Sequence, residues 1–132
     1  MKILALDYGS ARTGVAVSDP TGTVARPVGV VEHAGTEDGL ARLVALIREH
    51  DPERVIVGLP LTMRGEHGKQ ATETEAFVTL LREAVEVPIE NFDERFTTDL
   101  AEQGGGGSHA TDARAAAYLL SSYLTWSRSA SR

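Results

Sequence analysis

Asp7, the pair Asp93-Glu94 and Asp112 are the residues whose type and placement point to chemistry. Asp7 ends the apolar run Ile3-Leu4-Ala5-Leu6, Asp93-Glu94 follow a strand-like stretch, and Asp112 opens an alanine-rich helix. A carboxylate at the end of a buried strand is costly unless it is paired, hydrogen-bonded or bound to a metal. Several carboxylates in one dry pocket at neutral pH need a cation, or one of them takes up a proton. With oxygen donors alone the fitting cation is Mg²⁺ or Mn²⁺. Two such ions roughly 3.5–4 Å apart can activate a water and stabilise the leaving oxygen in phosphodiester hydrolysis. That chemistry needs neither cysteine nor histidine. Each acid also has a plainer role: Asp7 can cap the turn Gly9-Ser10, and Asp112 suits the positive end of a helix.

These groups meet only if the elements bring them together. Lys2–Tyr8 reads as a strand covered on both faces, because its apolar run is nearly continuous. Thr13–Asp19 returns beside it, and the valine-rich stretch Val24–Glu32 makes a third strand, with Pro27 at an edge or an irregular point. Thr36 is a candidate N-cap for a helix over Glu37–His50, with Leu40, Leu43, Val44 and Ile47 on one stripe and Asp51-Pro52 as its stop. Val55–Val57 is a short β-branched run between breakers, which suits a central parallel strand. Leu61–Gly68 is a loop. A second helix runs from Lys69 or Gln70 to Val85 with Phe77, Leu80, Leu81 and Ala84 on one face, and Val87–Phe92 is the fifth strand. Thr97-Thr98 can start a short helix to Glu102 or Gln103. Gly104–Ser108 is a flexible loop, since four consecutive glycines carry too much backbone entropy for regular structure. The last helix runs from Thr111 or Asp112 to about Trp126, and 127–132 form a frayed tail.

A three-stranded meander followed by alternating helices and strands gives a single α/β domain, a mixed sheet covered by helices. In such sheets ligands gather outside the carboxyl ends of the parallel strands, which makes Asp7 and Asp93-Glu94 neighbours. Asp112 precedes Ala116, Leu119 and Tyr123 by helical steps, so it shares their inward face.

The chain has 132 residues, 42% of them apolar, enough for one core. It has no cysteine, so disulfides and thiolate zinc sites are excluded. No apolar run reaches the roughly 18 residues of a membrane span and no signal peptide opens the chain, so a cytoplasmic location is expected. The net charge of −6 argues against strong non-specific binding of nucleic acid, which rests on Lys and Arg neutralising phosphates. Arg12, Arg64, Lys69, Arg95 and Arg114 nevertheless stand beside the proposed site and can hold phosphates. Arg95 adjoins Glu94 and is the strongest of them; each taken singly also reads as a solvated surface charge.

Four stretches resemble the YqgF family, also called RuvX, of pre-16S rRNA nucleases. They are Leu6-Asp7-Tyr8-Gly9-Ser10 with Gly14-Val15-Ala16-Val17; Val57-Gly58-Leu59-Pro60-Leu61 with Gly65 and Gly68; Asp93-Glu94-Arg95-Phe96-Thr97-Thr98; and Asp112 with the alanine-rich helix ending in Ser122-Tyr123-Leu124. Their order and spacing carry the match over nearly the whole chain. The resemblance implies an RNase H-like fold, a five-stranded mixed sheet of order 3-2-1-4-5 flanked by helices. It implies catalytic and metal-binding roles for Asp7, Glu94 and Asp112 with Mg²⁺ or Mn²⁺, and a role in maturing the 5′ end of 16S rRNA. The implied partners are structured RNA such as pre-16S rRNA, or branched DNA, and ribosomal precursor particles, with the protein a monomer or homodimer and no membrane involved. The chain departs from the family at Phe96, where Leu is usual, and at 104–109, where relatives commonly carry Lys and Arg and this chain has neither. Other readings are a Holliday junction resolvase-like DNA nuclease and a non-cleaving nucleic-acid or ribosome-assembly module. A nucleotide-binding protein of the actin and sugar-kinase group ranks last, because the chain is too short for a two-lobed cleft.

Overall fold

The computed structural model of the chain describes residues 1–60, 64, 68–94 and 113–130. Their elements are β1 (Ile3–Asp7), β2 (Arg12–Ser18), β3 (Ala25–Glu32), α1 (Glu37–His50), β4 (Arg54–Leu59), α2 (Lys69–Ala84), β5 (Ile89–Asp93) and α3 (Ala113–Ala130). The strands form one sheet of order β3-β2-β1-β4-β5, as expected. β2 pairs antiparallel with β1 and β3, while β1–β4 and β4–β5 are parallel. The carboxyl ends of β1, β4 and β5 therefore share one edge.

β1 lies at the centre and its alternation divides the core. Leu4 and Leu6 join the cluster under α1 and α2, with Val55, Val57, Leu43, Phe77 and Leu81. Ile3 and Ala5 join the cluster under α3, with Ile56, Phe92, Leu119, Leu120 and Tyr123. Successive side chains of a strand point to opposite faces, so Asp7 follows Ile3 and Ala5 onto the α3 side.

The local signals in the sequence map closely onto these elements. Thr36 caps α1 by accepting a hydrogen bond from the Gly39 N–H at 3.1 Å. Asp51 stops that helix in the left-handed conformation, φ 48°, with its N–H donating to the Ile47 carbonyl at 2.9 Å. Pro27 lies on the edge strand β3, beside the register shift that pairs Val15 with Gly29 and Ala16 with Pro27. A proline is tolerated there because no second neighbour requires its missing N–H. No helix among the described residues is long and apolar enough to cross a membrane.

Two expectations are corrected. The buried stripe of α2 is Ala71, Thr74, Phe77, Val78 and Leu81, and Leu80 is 43% exposed. The periodicity fits a second register almost as well, and Thr74 is accepted inside because its hydroxyl donates to the Gln70 carbonyl at 2.8 Å. The last helix continues beyond Trp126 to Ala130, since Ser127–Ala130 contains neither Gly nor Pro to stop it. The short helix proposed from Thr97 and the loop Gly104–Ser108 lie outside the described residues.

Among the described residues one buried side-chain polar atom is unsatisfied. Thr13 follows Val15 on the α1/α2 face of β2 and pairs with Val31, and its fully buried hydroxyl has no hydrogen-bond partner among the described residues. A polar atom in that condition costs about 1–3 kcal/mol. Thr13→Val puts a methyl group in place of the hydroxyl. The expected outcome is a gain of about 1 kcal/mol in unfolding free energy, seen as a higher urea midpoint at an unchanged slope.

Candidate active site at the carboxyl edge of the sheet

The edge where β1, β4 and β5 end opens into a cavity of about 240 Å³. Asp7, Tyr8, Gly9 and Ser10 line it from the end of β1, Pro60 from the end of β4, Gln70, Glu73 and Thr74 from α2, and Glu94 from just beyond β5. Two of the three acids singled out in the sequence thus face the same space, although they leave strands that are not neighbours.

The two are in direct contact: the Glu94 side chain is hydrogen-bonded to that of Asp7. Burial pushes the Glu94 carboxyl above the usual range and the charge of Asp93 pushes it further, while the bond to Asp7 opposes both. Such a pair shares a proton or a cation, because two adjacent carboxylates repel each other strongly when both are ionised. The donors are all oxygens and the pocket is partly closed, which suits Mg²⁺ or Mn²⁺. Among the described residues no third His, Asp or Glu completes a three-ligand cluster. Asp112 lies outside the described residues.

The basic residues fall differently. Arg12 at the start of β2, Arg64, Lys69 at the start of α2 and Arg114 in the first turn of α3 are exposed. None of them lines the cavity among the described residues. Arg95 lies outside the described residues.

Sequence reasoning missed the α2 wall. Gln70, Glu73, Thr74 and Phe77 stand at i, i+3, i+4 and i+7, so the helical phase that buries Phe77 also turns Gln70 and Glu73 to the cavity. That spacing was the available signal. Tyr8 forms the join, its ring stacked on Phe77 with centroids 4.4 Å apart and planes at 19°. Burial raises the Tyr8 phenol above its ordinary pKa, and the nearby Glu73 charge adds to it.

The pH dependence follows from Glu94. A carboxyl with a raised folded-state pKa binds its proton more tightly in the native protein. Its stabilising share is complete below the ordinary carboxylate pKa and is lost as pH rises through the raised value. Glu94→Gln removes that loss. In metal-free buffer near pH 7.5 the variant is expected to melt at a higher temperature than wild type, with the difference shrinking as pH falls towards about 4. Added Mn²⁺ is expected to raise the wild-type Tm and leave the variant nearly unchanged, as scanning calorimetry would read directly.

The family model described as RuvX, Holliday junction resolvase, matches residues 1–126. A protein of Chloroflexus aurantiacus named "Putative pre-16S rRNA nuclease" is 46% identical over 101 residues, which cover 76% of this chain and 66% of that protein. This chain thus spans about two thirds of the Chloroflexus protein's length. A protein of the same name from Anaeromyxobacter sp. is 41% identical over 132 residues, covering 94% of this chain and 96% of its own. In fold the chain is similar to Thermus thermophilus RuvC in complex with a Holliday junction substrate, with a TM-score of 0.64 at 16% identity over 98% of this chain and 96% of that one. It is also similar to the fowlpox virus resolvase in complex with junction DNA, with a TM-score of 0.54 at 12% identity over 95% and 97% of the two chains. The fold is RNase H-like, and the chain belongs to the RuvX (YqgF) family of nucleases.

Proposed function

We propose that this chain is a metal-dependent endonuclease that hydrolyses phosphodiester bonds in structured RNA, acting at the 5′ end of pre-16S rRNA. The contact between Asp7 and Glu94 inside the edge cavity carries the reading. The two acids leave different strands and converge on one point, and a structural capping role for Asp7 does not require that. Mg²⁺ or Mn²⁺ bound there would supply the Lewis acidity that activates water and stabilises the leaving oxygen.

Asp7 and Glu94 would hold the cations, with Asp112 as the third ligand. Asp7 is fixed by a strand buried on both faces, so its carboxylate needs little reorganisation when the charge is bound. Arg12, Arg64, Lys69, Arg95 and Arg114 would hold the phosphates on either side of the scissile bond. Arg12, Arg64, Lys69 and Arg114 are exposed and do not line the cavity, so they would hold flanking phosphates and leave the acidic pair to the reacting one. The names of the relatives favour RNA, and the description of the family model favours branched DNA. The acidic balance and the uncharged 104–109 stretch favour weak binding, and so support a second reading, a ribosome-assembly module that cuts poorly.

The test is cleavage of a 16S precursor RNA and of a four-way DNA junction in Mn²⁺ and in Mg²⁺, by wild type and by Asp7→Asn. The expected result is metal-dependent cutting of the RNA that Asp7→Asn abolishes while the thermal transition stays cooperative. Cutting of the junction alone would move the substrate to DNA. RNA binding without cutting, persisting unchanged in chelator and in Asp7→Asn, would establish the assembly module instead.

A further inference from the structure

β4 stands between the strands that carry the two carboxylates. On the α3 face of β4 the alternating positions are Arg54, Ile56 and Gly58. Leu6 pairs with Val57 and Gly58 pairs with Phe92, so Gly58 is the β4 residue that comes beside Asp7, on the way from β5. A Cβ built on Gly58 would lie 2.5 Å from Glu94 Oε1, 3.0 Å from Glu94 Cγ and 3.0 Å from Leu119 Cδ2. Those separations are well inside the optimum of about 3.5–4.0 Å for carbon contacts. The backbone does not itself demand glycine: Gly58 is not among the glycines with positive φ, as Gly22 is at 72°.

We propose that Gly58 is a positioning residue of the active site: its missing side chain is the slot through which Glu94 crosses β4 to reach Asp7. This inference rests on the reading of Asp7 and Glu94 as the cation-binding pair. A methyl group at Gly58 pushes the Glu94 carboxylate off its line, and the pair loses its geometry while both acids remain. Asp7 has a second glycine beside it, Gly14 on β2, directly opposite in the register. The sheet thus carries no side chain on either flank of Asp7, and on the β4 flank Glu94 occupies the space.

The experiment is a double-mutant cycle in metal-free buffer with wild type, Gly58→Ala, Glu94→Ala and the double variant, followed by thermal unfolding, and by Mn²⁺ titration calorimetry on wild type and Gly58→Ala. Gly58→Ala is expected to lower the Tm clearly in the wild-type background and much less when Glu94 is already alanine. It is expected to weaken Mn²⁺ binding about 10–100-fold, the range for losing the support of a metal ligand. If Gly58→Ala alone does not fold, recovery of folding in the double variant supports the slot and continued failure overturns it. An equal Tm cost in both backgrounds overturns the proposal, as does wild-type Mn²⁺ affinity in Gly58→Ala. A cost relieved by Leu119→Ala instead of Glu94→Ala would likewise assign the glycine to helix packing. Absence of Mn²⁺ binding in wild type would overturn the cation-binding role of the pair, while the unfolding cycle would still decide the slot.

Discussion

Two carboxyl groups held in contact are the constraint around which this molecule is built. Asp7 and Glu94 repel each other whenever both are ionised, so any arrangement that keeps them together must be enforced from elsewhere in the chain. β1 supplies most of that enforcement. Its residues Ile3 to Leu6 are at most 4% exposed, and each side of the strand belongs to a different core cluster. The parallel pairing of β1, β4 and β5 then brings three strand ends to one edge, and the absence of side chains at Gly14 and Gly58 leaves room beside the acid. The hydrophobic energy that forms the sheet is thus what holds the acids together, as functional sites commonly draw on the stability of the surrounding structure.

Much of this was legible in the sequence because the decisive signals are local. The apolar run before Asp7, the Thr36 cap, the Asp51-Pro52 stop and the β-branched run at Val55 each act through their own neighbours, and each marks an element close to where it occurs. Strand order was not local and came from the family resemblance. The convergence of Asp7 with Glu94 was legible without it, because the parallel strands of an open α/β sheet end at one edge. The slot at Gly58 was visible only as a glycine inside an apolar strand, a pattern that signals close approach without saying by what. The stripe of α2 was misread at Leu80 because threonine can substitute for an apolar residue when its hydroxyl bonds back to the preceding turn. The α2 wall of the cavity was missed for a related reason: Gln70 and Glu73 look like ordinary solvated helix residues until α2 is placed against β1.

The acids and the cations differ in setting: Asp7 and Glu94 line the edge cavity, whereas Arg12, Arg64, Lys69 and Arg114 are exposed and do not line it. Exposed Arg and Lys side chains suit contacts to a phosphate backbone, the role proposed for them above. The net charge of −6 then acts as a filter, suppressing casual contact with nucleic acid and leaving binding to depend on shape and multiple contacts.

The mixed sheet also has a consequence for assembly in time. The meander of β1, β2 and β3 is built from sequence neighbours and closes short loops, so its entropic cost is small. The pairing of β1 with β4, and then of β4 with β5, joins segments far apart in the chain and comes at a higher loop-closure cost. Glu94 reaches Asp7 only after both pairings are made. A chain emerging from synthesis therefore carries half of its acid pair without the other, and the charged centre is completed only when the sheet is whole.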